Sequence, residues 1–445
     1  MLAHVAPARY AACGGAGSLV VGTVKSSTTQ RSSLPWAEVI QQAVRQRLPV
    51  LFWRVPETGL VLLGLGEAAR YTGSGPDAMT LAQRWIESYV LRVERGDDLP
   101  LCWFSSTFDQ RQGRRDWSDW QGVKLVVPQV LLAQRQDTVR VIFHGQSEDD
   151  LRRAELLFDR INGNVGTHSP VSVCESIHRS WFESPEDFAH RVAHVTKLLG
   201  KDLLKVVLAN GCHHLVKGSP LAGVIDTLTS SDRHGTHFVC SHGGASVFAG
   251  CTPEMLVQQD GLQWGAHVLA GTRSRSQVGA RNDLLTSAKD RQEHDLVATG
   301  IAESLDAWVD TLDMPSEPQI RSLDHLYHLE RHLCGEVLAS TGFLDLVGAL
   351  HPTPALGGYP QATAVDYLDA HEPLDRGGFG APFGWISGVQ HGRAAVAIRS
   401  ALFHENRVSI FAGAGIVAQS DPHREQAEVA AKIAAIESEL LGLNS

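Results

Sequence analysis

Arg407 to Lys432 reads RVSIFAGAGIVAQSDPHREQAEVAAK, and the fold is decided on this stretch. A run of β-branched and aromatic residues, the composition of a strand, ends at Gly413-Ala414-Gly415. Ser420-Asp421-Pro422 then opens a helix, since Asp421 is a good N-cap and Pro422 suits the first helical position. The two glycines let backbone N–H groups approach an anion closely. On the helix, Glu425, Glu428 and Lys432 fall at i, i+3 and i+7 and share one face. Taken alone, such a face reads more readily as a solvated salt-bridge stripe than as a site.

The same alternation of strand and helix extends outward. LPVLFWRV (48–55), GLVLLGLG (59–66), VKLVVPQVLLA (123–133) and TVRVIFHG (138–145) read as strands, as do KVVLA, FVCSH, SVFAGCT and AVAIRSALF further on. Helical patterns fall at 85–93, 146–165, 183–204, 283–311, 324–338 and 421–441. Residues 1–35 read as a tail or first strand. Residues 36–445 read as one large α+β unit, two layered β-sheets with outer helices.

The bulk numbers set limits on function. Hydrophobic residues make up 43% and charged residues 20% of the 445, the balance of an ordinary globular protein. A net charge of −10 argues against a general nucleic-acid binder. Seven scattered cysteines without a C-x-x-C pair fit a reducing compartment. No run reaches the ~20 apolar residues of a membrane span. The N-terminus lacks the long apolar core of a secretory signal. The expectation is a cytoplasmic protein that stays off membranes.

A second carboxylate helix changes the odds on the first. SAKDRQEHDLVATGIAESL (287–305) carries Glu293 beside the apolar Leu296, Val297 and Ile301. Two such helices, if they meet, offer the oxygen donors that Mg²⁺ prefers, with room for waters and a substrate carboxylate. Spacing alone does not bring them together.

The blocks KVVLA (205–209), GCTPEMLV (250–257), LAGTRSR (269–275), SAKDRQEHDLV (287–297), HLYHLERHLCGEV (325–337), LHPTPALGGYP (350–360), EPLDRGGFGAPFGWIS (372–387), VAIRSA (396–401) and FAGAGIVAQSDPHRE (411–425) recur in this order. In them the chain resembles the chorismate-utilising enzymes, over more than half its length. HPTPA and GWIS…AIRSA are most similar to isochorismate synthases. The resemblance implies water arriving at C2 of chorismate while the C4 hydroxyl leaves, with a base and an acid to serve the two steps. Lys205 matches the base, a role that requires burial or nearby cations to lower its pKa. Glu254 matches the acid, which must stay protonated at working pH. Glu293 and Glu428 match the Mg²⁺ ligands, with Glu425 one turn away orienting the site or acting through water. Arg399 matches the grip on the enolpyruvyl carboxylate, and Lys432 a further carboxylate contact. Gly413 and Gly415 are implied as backbone donors, Gly271 and Thr272 as a loop lining the ring, and His328 as a histidine near substrate.

Two residues separate the chemistries within the family. Ala270 stands where members with a covalent lysine nucleophile carry lysine. Ala355 stands where ammonia-using members carry threonine. Both favour water, and no glutaminase subunit is expected. Asn210 and Met255 depart from arginines common at those positions, and Ser387-Gly388-Val389 replaces a segment where aspartate often occurs.

The rival readings are weaker. Salicylate synthase shares the acid, base and metal set and then eliminates pyruvate from isochorismate. A nucleotide-dependent dehydrogenase, suggested by Gly413-x-Gly415-x-x-Ala418, lacks chain beyond Ser445 for the next strand. A zinc site on His325, His328 and His332, spaced along one face of the expected helix, lacks H-E-x-x-H and paired cysteines. An inactive binding homologue would have lost acid, base or metal residues. A monomer is expected, with menaquinone formation as the destination of the product.

Overall fold

Two antiparallel sheets are laid face to face, with the helices outside them. The computed structural model describes residues 24–29, 34–90, 99–109, 117–136, 138–163, 175–218, 220–275, 277–322 and 326–442. The larger sheet has 12 strands. Their order is Val24–Thr29, Thr138–His144, Val130–Arg135, Leu60–Leu65, Pro49–Val55, Thr236–His242, Ser246–Thr252, Ser400–His404, Arg407–Ile416, Lys205–Lys217 and Gly358–Tyr359. Glu175–Trp181 pairs with the far end of Lys205–Lys217. The smaller sheet has nine strands, in the order Gln319–Ser322, Leu326–Glu336, Gln263–Ser274, Met255–Asp260, His391–Val396, Pro382–Gly388, Cys102–Ser106, Val123–Val127 and Ala69–Gly73. Part of the stretch read as a tail or first strand is the edge strand Val24–Thr29, paired with Thr138–His144.

The space between the sheets is filled from both inner faces. Trp53 and Phe238 of the larger sheet meet Phe383 of the smaller one, with ring centroids 5.4 and 4.4 Å apart. Gly64 is required here, because a Cβ would collide with the Trp103 ring that crosses from the other sheet. A second, larger core lies under the helices, where Ile40, Leu151, Val192, Val297 and Ile433 are buried.

Two expectations are corrected. VKLVVPQVLLA is two strands in two different sheets, Val123–Val127 and Val130–Arg135. Pro128 has no N–H to give a ladder, so the run breaks there and the chain changes sheet. Residues 324–338 are a strand, Leu326–Glu336, in place of a helix. Leu326, Leu329 and Leu333 imitate a helical spacing, but the alternating buried residues are Leu329, Arg331 and Leu333. Arg331 hides the period of two: its buried guanidinium reaches Asp295 at 2.7 Å.

The chain also changes sheet at two neighbouring points. Ser246–Thr252 passes through Pro253 and Glu254 into Met255–Asp260 of the other sheet. His391–Val396 passes through Ala397–Arg399 back into Ser400–His404. The crossings are tied together, since Val396 N donates to Glu254 O (3.0 Å) and Cys251 N to Arg399 O (3.2 Å).

Candidate active site

Lys205 begins the long strand Lys205–Lys217, between Arg407–Ile416 on one side and the short strand Gly358–Tyr359 on the other. Its side chain is 1% exposed, and Nζ lies 3.0 Å from Glu293 Oε1. The meeting depends on Gly415, opposite Val207, because a Cβ there would stand 2.6 Å from Glu293 Oε1 and 2.7 Å from Lys205 Cε. The role visible for Gly415 is therefore to make room. Glu293 comes from the helix Ala288–Leu305, whose N-cap Ser287 accepts from Asp290 N.

The helix Pro422–Leu441 brings the second set of charges. Asp421 caps it by accepting from Arg424 N, and Pro422 occupies the first turn. Lys432 Nζ donates to Gly413 O at 2.8 Å and pairs with Glu428 at 2.8 Å. Gly413 thus presents its carbonyl to this lysine. Glu425 is buried and pairs with Lys289 at 2.9 Å. Burial works against the Lys289 ammonium, but Glu425, Glu293 and Glu428 raise its pKa. The three predicted carboxylates are gathered around this one cation. Burial alone would raise the Glu428 carboxyl, but Lys432, Lys289 and Arg273 hold it below the usual value.

Glu254 sits at the first sheet crossing. Burial pushes its carboxyl up to about 7, against the pull of Lys205, Lys432 and Arg399. Arg399, at the second crossing, is held at φ 49°, a conformation uncommon for a residue with a Cβ. Such strain persists only where the surroundings impose it. Its Nη2 lies 3.5 Å from His328 Nε2. Burial, together with Arg399, Lys432 and Arg321, lowers the His328 pKa to about 3, so the imidazole is neutral. Gly271, at φ 76°, forms a bulge between Ala270 and Thr272, and Thr272 lies opposite His328. Ala355 packs against the core. Its loop is joined to the Lys205 strand by Val207 N donating to Gly357 O at 2.9 Å.

The acid, the base, the arginine and the carboxylates thus converge on one rim, where the two sheets exchange strands and two helices cover them. A family model described as chorismate binding enzyme matches residues 20–441. The chain belongs to the chorismate-binding enzyme family.

Relatives of this chorismate-binding enzyme include the salicylate biosynthesis isochorismate synthase of Pseudomonas aeruginosa, 31% identical over 422 residues and covering 89% of this chain and 85% of that one. The isochorismate synthase MenF of Bacillus subtilis is 27% identical, with 88% of each chain covered. Among solved structures, the menaquinone-specific isochorismate synthase MenF from Escherichia coli has a TM-score of 0.80 at 22% identity over 94% of both chains. Anthranilate synthase component I from Streptococcus pneumoniae has a TM-score of 0.68 at 16% identity, covering 87% of this chain and 89% of that one. These two establish the shared fold.

Residues that sequence reasoning missed support the site of this chorismate-binding enzyme from behind. Lys289 stands one turn before Glu293, and that i, i+4 spacing was the available signal. Arg273 and Asp290 form an ion pair beside the Gly271 bulge. Arg376 is buried, pairs with Glu372 at 2.6 Å, and donates to Leu356 O and Val207 O at 2.8 and 2.7 Å. It joins the HPTPA loop to the Lys205 strand, a link that no local pattern announces. Asn210, a departure from the family pattern, is buried and donates to Glu183 O at 3.0 Å. No helix among the described residues is long and apolar enough to cross a membrane.

Proposed function

We propose that the chain is an isochorismate synthase, adding water to C2 of chorismate as the C4 hydroxyl departs and the ring double bonds shift between them. The observation that carries this reading is Glu254, a buried carboxyl whose pKa of about 7 suits a proton donor at neutral pH. Lys205 takes the proton of the incoming water, and Glu254 gives one to the leaving hydroxyl, so a water enters and a water leaves. Arg399 and Lys432 are the cations for the substrate's carboxylates, Arg399 with the planar fork that suits bidentate recognition. Neutral His328 borders Arg399 without adding charge. The small side chains of Ala270 and Ala355 support water over an amine or ammonia.

The donor set fits Mg²⁺, since Glu293 and Glu428 offer hard carboxylate oxygens with side chains 16% and 44% exposed. Held by Glu293 and Glu428, Mg²⁺ would supply Lewis-acid charge for the ring carboxylate. Glu425, tied to Lys289, orients this set from behind.

The test is incubation of purified protein with chorismate, with and without Mg²⁺, with products identified by chromatography, mass and NMR. A Mg²⁺-dependent mixture of chorismate and isochorismate without pyruvate is expected. Stoichiometric pyruvate with salicylate would move the assignment to salicylate synthase, and no turnover by folded protein would overturn both. The Pseudomonas aeruginosa relative, named for salicylate biosynthesis, favours a salicylate route as a second destination beside menaquinone. Quinone and salicylate levels in a strain deleted for this protein separate the two.

A further inference from the structure

The partly exposed face of the smaller sheet carries a cluster that the proposed reaction does not use. His267 and His332 stand directly opposite each other in the ladder between Gln263–Ser274 and Leu326–Glu336. Their ring centroids are 4.0 Å apart. Glu330, two residues before His332 on one strand, shares its face. His267 Nδ1 lies 3.4 Å from Glu330 Oε1, and His332 Nε2 lies 3.4 Å from Oε2. One ligand atom from each of the three residues falls within 4.8 Å of the other two.

These spacings are long for hydrogen bonds. Each imidazole faces a different oxygen of Glu330, and small turns of these side chains bring one atom of each to the ligand bonds of about 2.0–2.2 Å that a single ion needs. Arg321 occupies only one carboxylate oxygen, donating to Oε1 at 2.7 Å. Oε2 is left turned toward His332. A carboxylate that gives one oxygen to a metal while a neighbouring side chain holds the other is a common arrangement. His332 is 58% exposed, which gives an ion entry and leaves a position for water. As a helix, this segment would have set His332 beside His328. As a strand, it sets His332 against His267.

We propose that His267, Glu330 and His332 form a binding site for one divalent ion of the zinc class, distinct from the all-carboxylate set at Glu293 and Glu428. Two imidazoles and one carboxylate select borderline ions such as Zn²⁺, Co²⁺ and Ni²⁺ over Mg²⁺. Arg321 holds the ligating carboxylate through Oε1 at 2.7 Å, and its Nη1 also lies 3.5 Å from His267 Nδ1, so binding of the ion replaces that long contact.

The test is calorimetric titration of metal-stripped, full-length protein with Zn²⁺ in the presence of saturating Mg²⁺, followed by Co²⁺ absorption spectra to read coordination geometry. One equivalent of Zn²⁺ is expected, with a four-coordinate Co²⁺ spectrum. His332→Ala and His267→Ala should each weaken binding about tenfold or more. His391→Ala, an exposed histidine two strands away, should leave it unchanged. Circular dichroism confirms folding, and the exposed His332 is the variant least able to disturb it. Absence of Zn²⁺ binding, or binding unchanged in both histidine variants, overturns the site. So does binding lost only in Glu293→Gln, which would place the ion at the carboxylate set.

Discussion

Glu254 carries a carboxyl that its surroundings keep neutral while three cations, Lys205, Lys432 and Arg399, pull it toward charge. Burial wins, and that balance has two measurable consequences. The protonated form falls away above pH about 7, so turnover toward isochorismate should decline through that value in a pH–rate profile. The folded pKa is raised above the unfolded one, so the stability this group contributes is present below about 4.5 and is lost as pH rises through about 7. Glu254→Gln should therefore lower turnover roughly 10²–10⁴-fold while gaining stability relative to the natural protein at pH about 8 compared with pH about 4, read as urea midpoints. Lys205→Ala should cause a loss of turnover of similar size. Gly415→Ala should separate Lys205 from Glu293 and reduce activity with little change in secondary structure, checked by kinetics beside circular dichroism. At this scale the sequence was informative through its blocks: each predicted charged residue has its counterpart on the rim. The backbone part foreseen for Gly413 and Gly415 was less legible, because the crowding of Lys205, Glu293 and Lys432 around them arises only in three dimensions.

Among the elements, the helix Pro422–Leu441 was the most legible, with its cap, its first proline and its charged face all in one short stretch. Its far end is fixed by a buried cluster. Glu437 accepts from His214 Nε2 and Arg179 Nε, each at 2.7 Å, and from Cys212 Sγ at 3.5 Å. Glu437→Ala should destabilise the protein by on the order of 1–3 kcal/mol, because buried donors lose their acceptor. It should also raise the Mg²⁺ concentration needed for half-maximal rate, since the same helix carries Glu428. Denaturation midpoints and a Mg²⁺ titration check both. The strand Leu326–Glu336 was misread because Arg331, buried through its pairing with Asp295, stood where the alternation called for an apolar residue. A long side chain that buries its stem breaks the simplest pattern while obeying the same packing physics.

For the molecule as a whole, layered sheets with outer helices followed from the alternation of runs, but strand order did not. Neighbours such as Thr236–His242 and Pro49–Val55 are far apart in sequence, and nothing in either run names its partner. Arg376 and Glu372, 1% and 0% exposed, join the loop at Leu356 to the strand at Val207 from the interior. Arg376→Ala should cost about 3–5 kcal/mol, because it strands a buried carboxylate, and thermal unfolding should show it. The two sheet crossings carry a mechanical implication. Glu254 and Arg399 sit on segments laced together by Val396 N donating to Glu254 O and Cys251 N to Arg399 O, so backbone hydrogen bonds set the spacing of the acid and the arginine. Replacing either side chain would therefore leave the framework that positions the other intact.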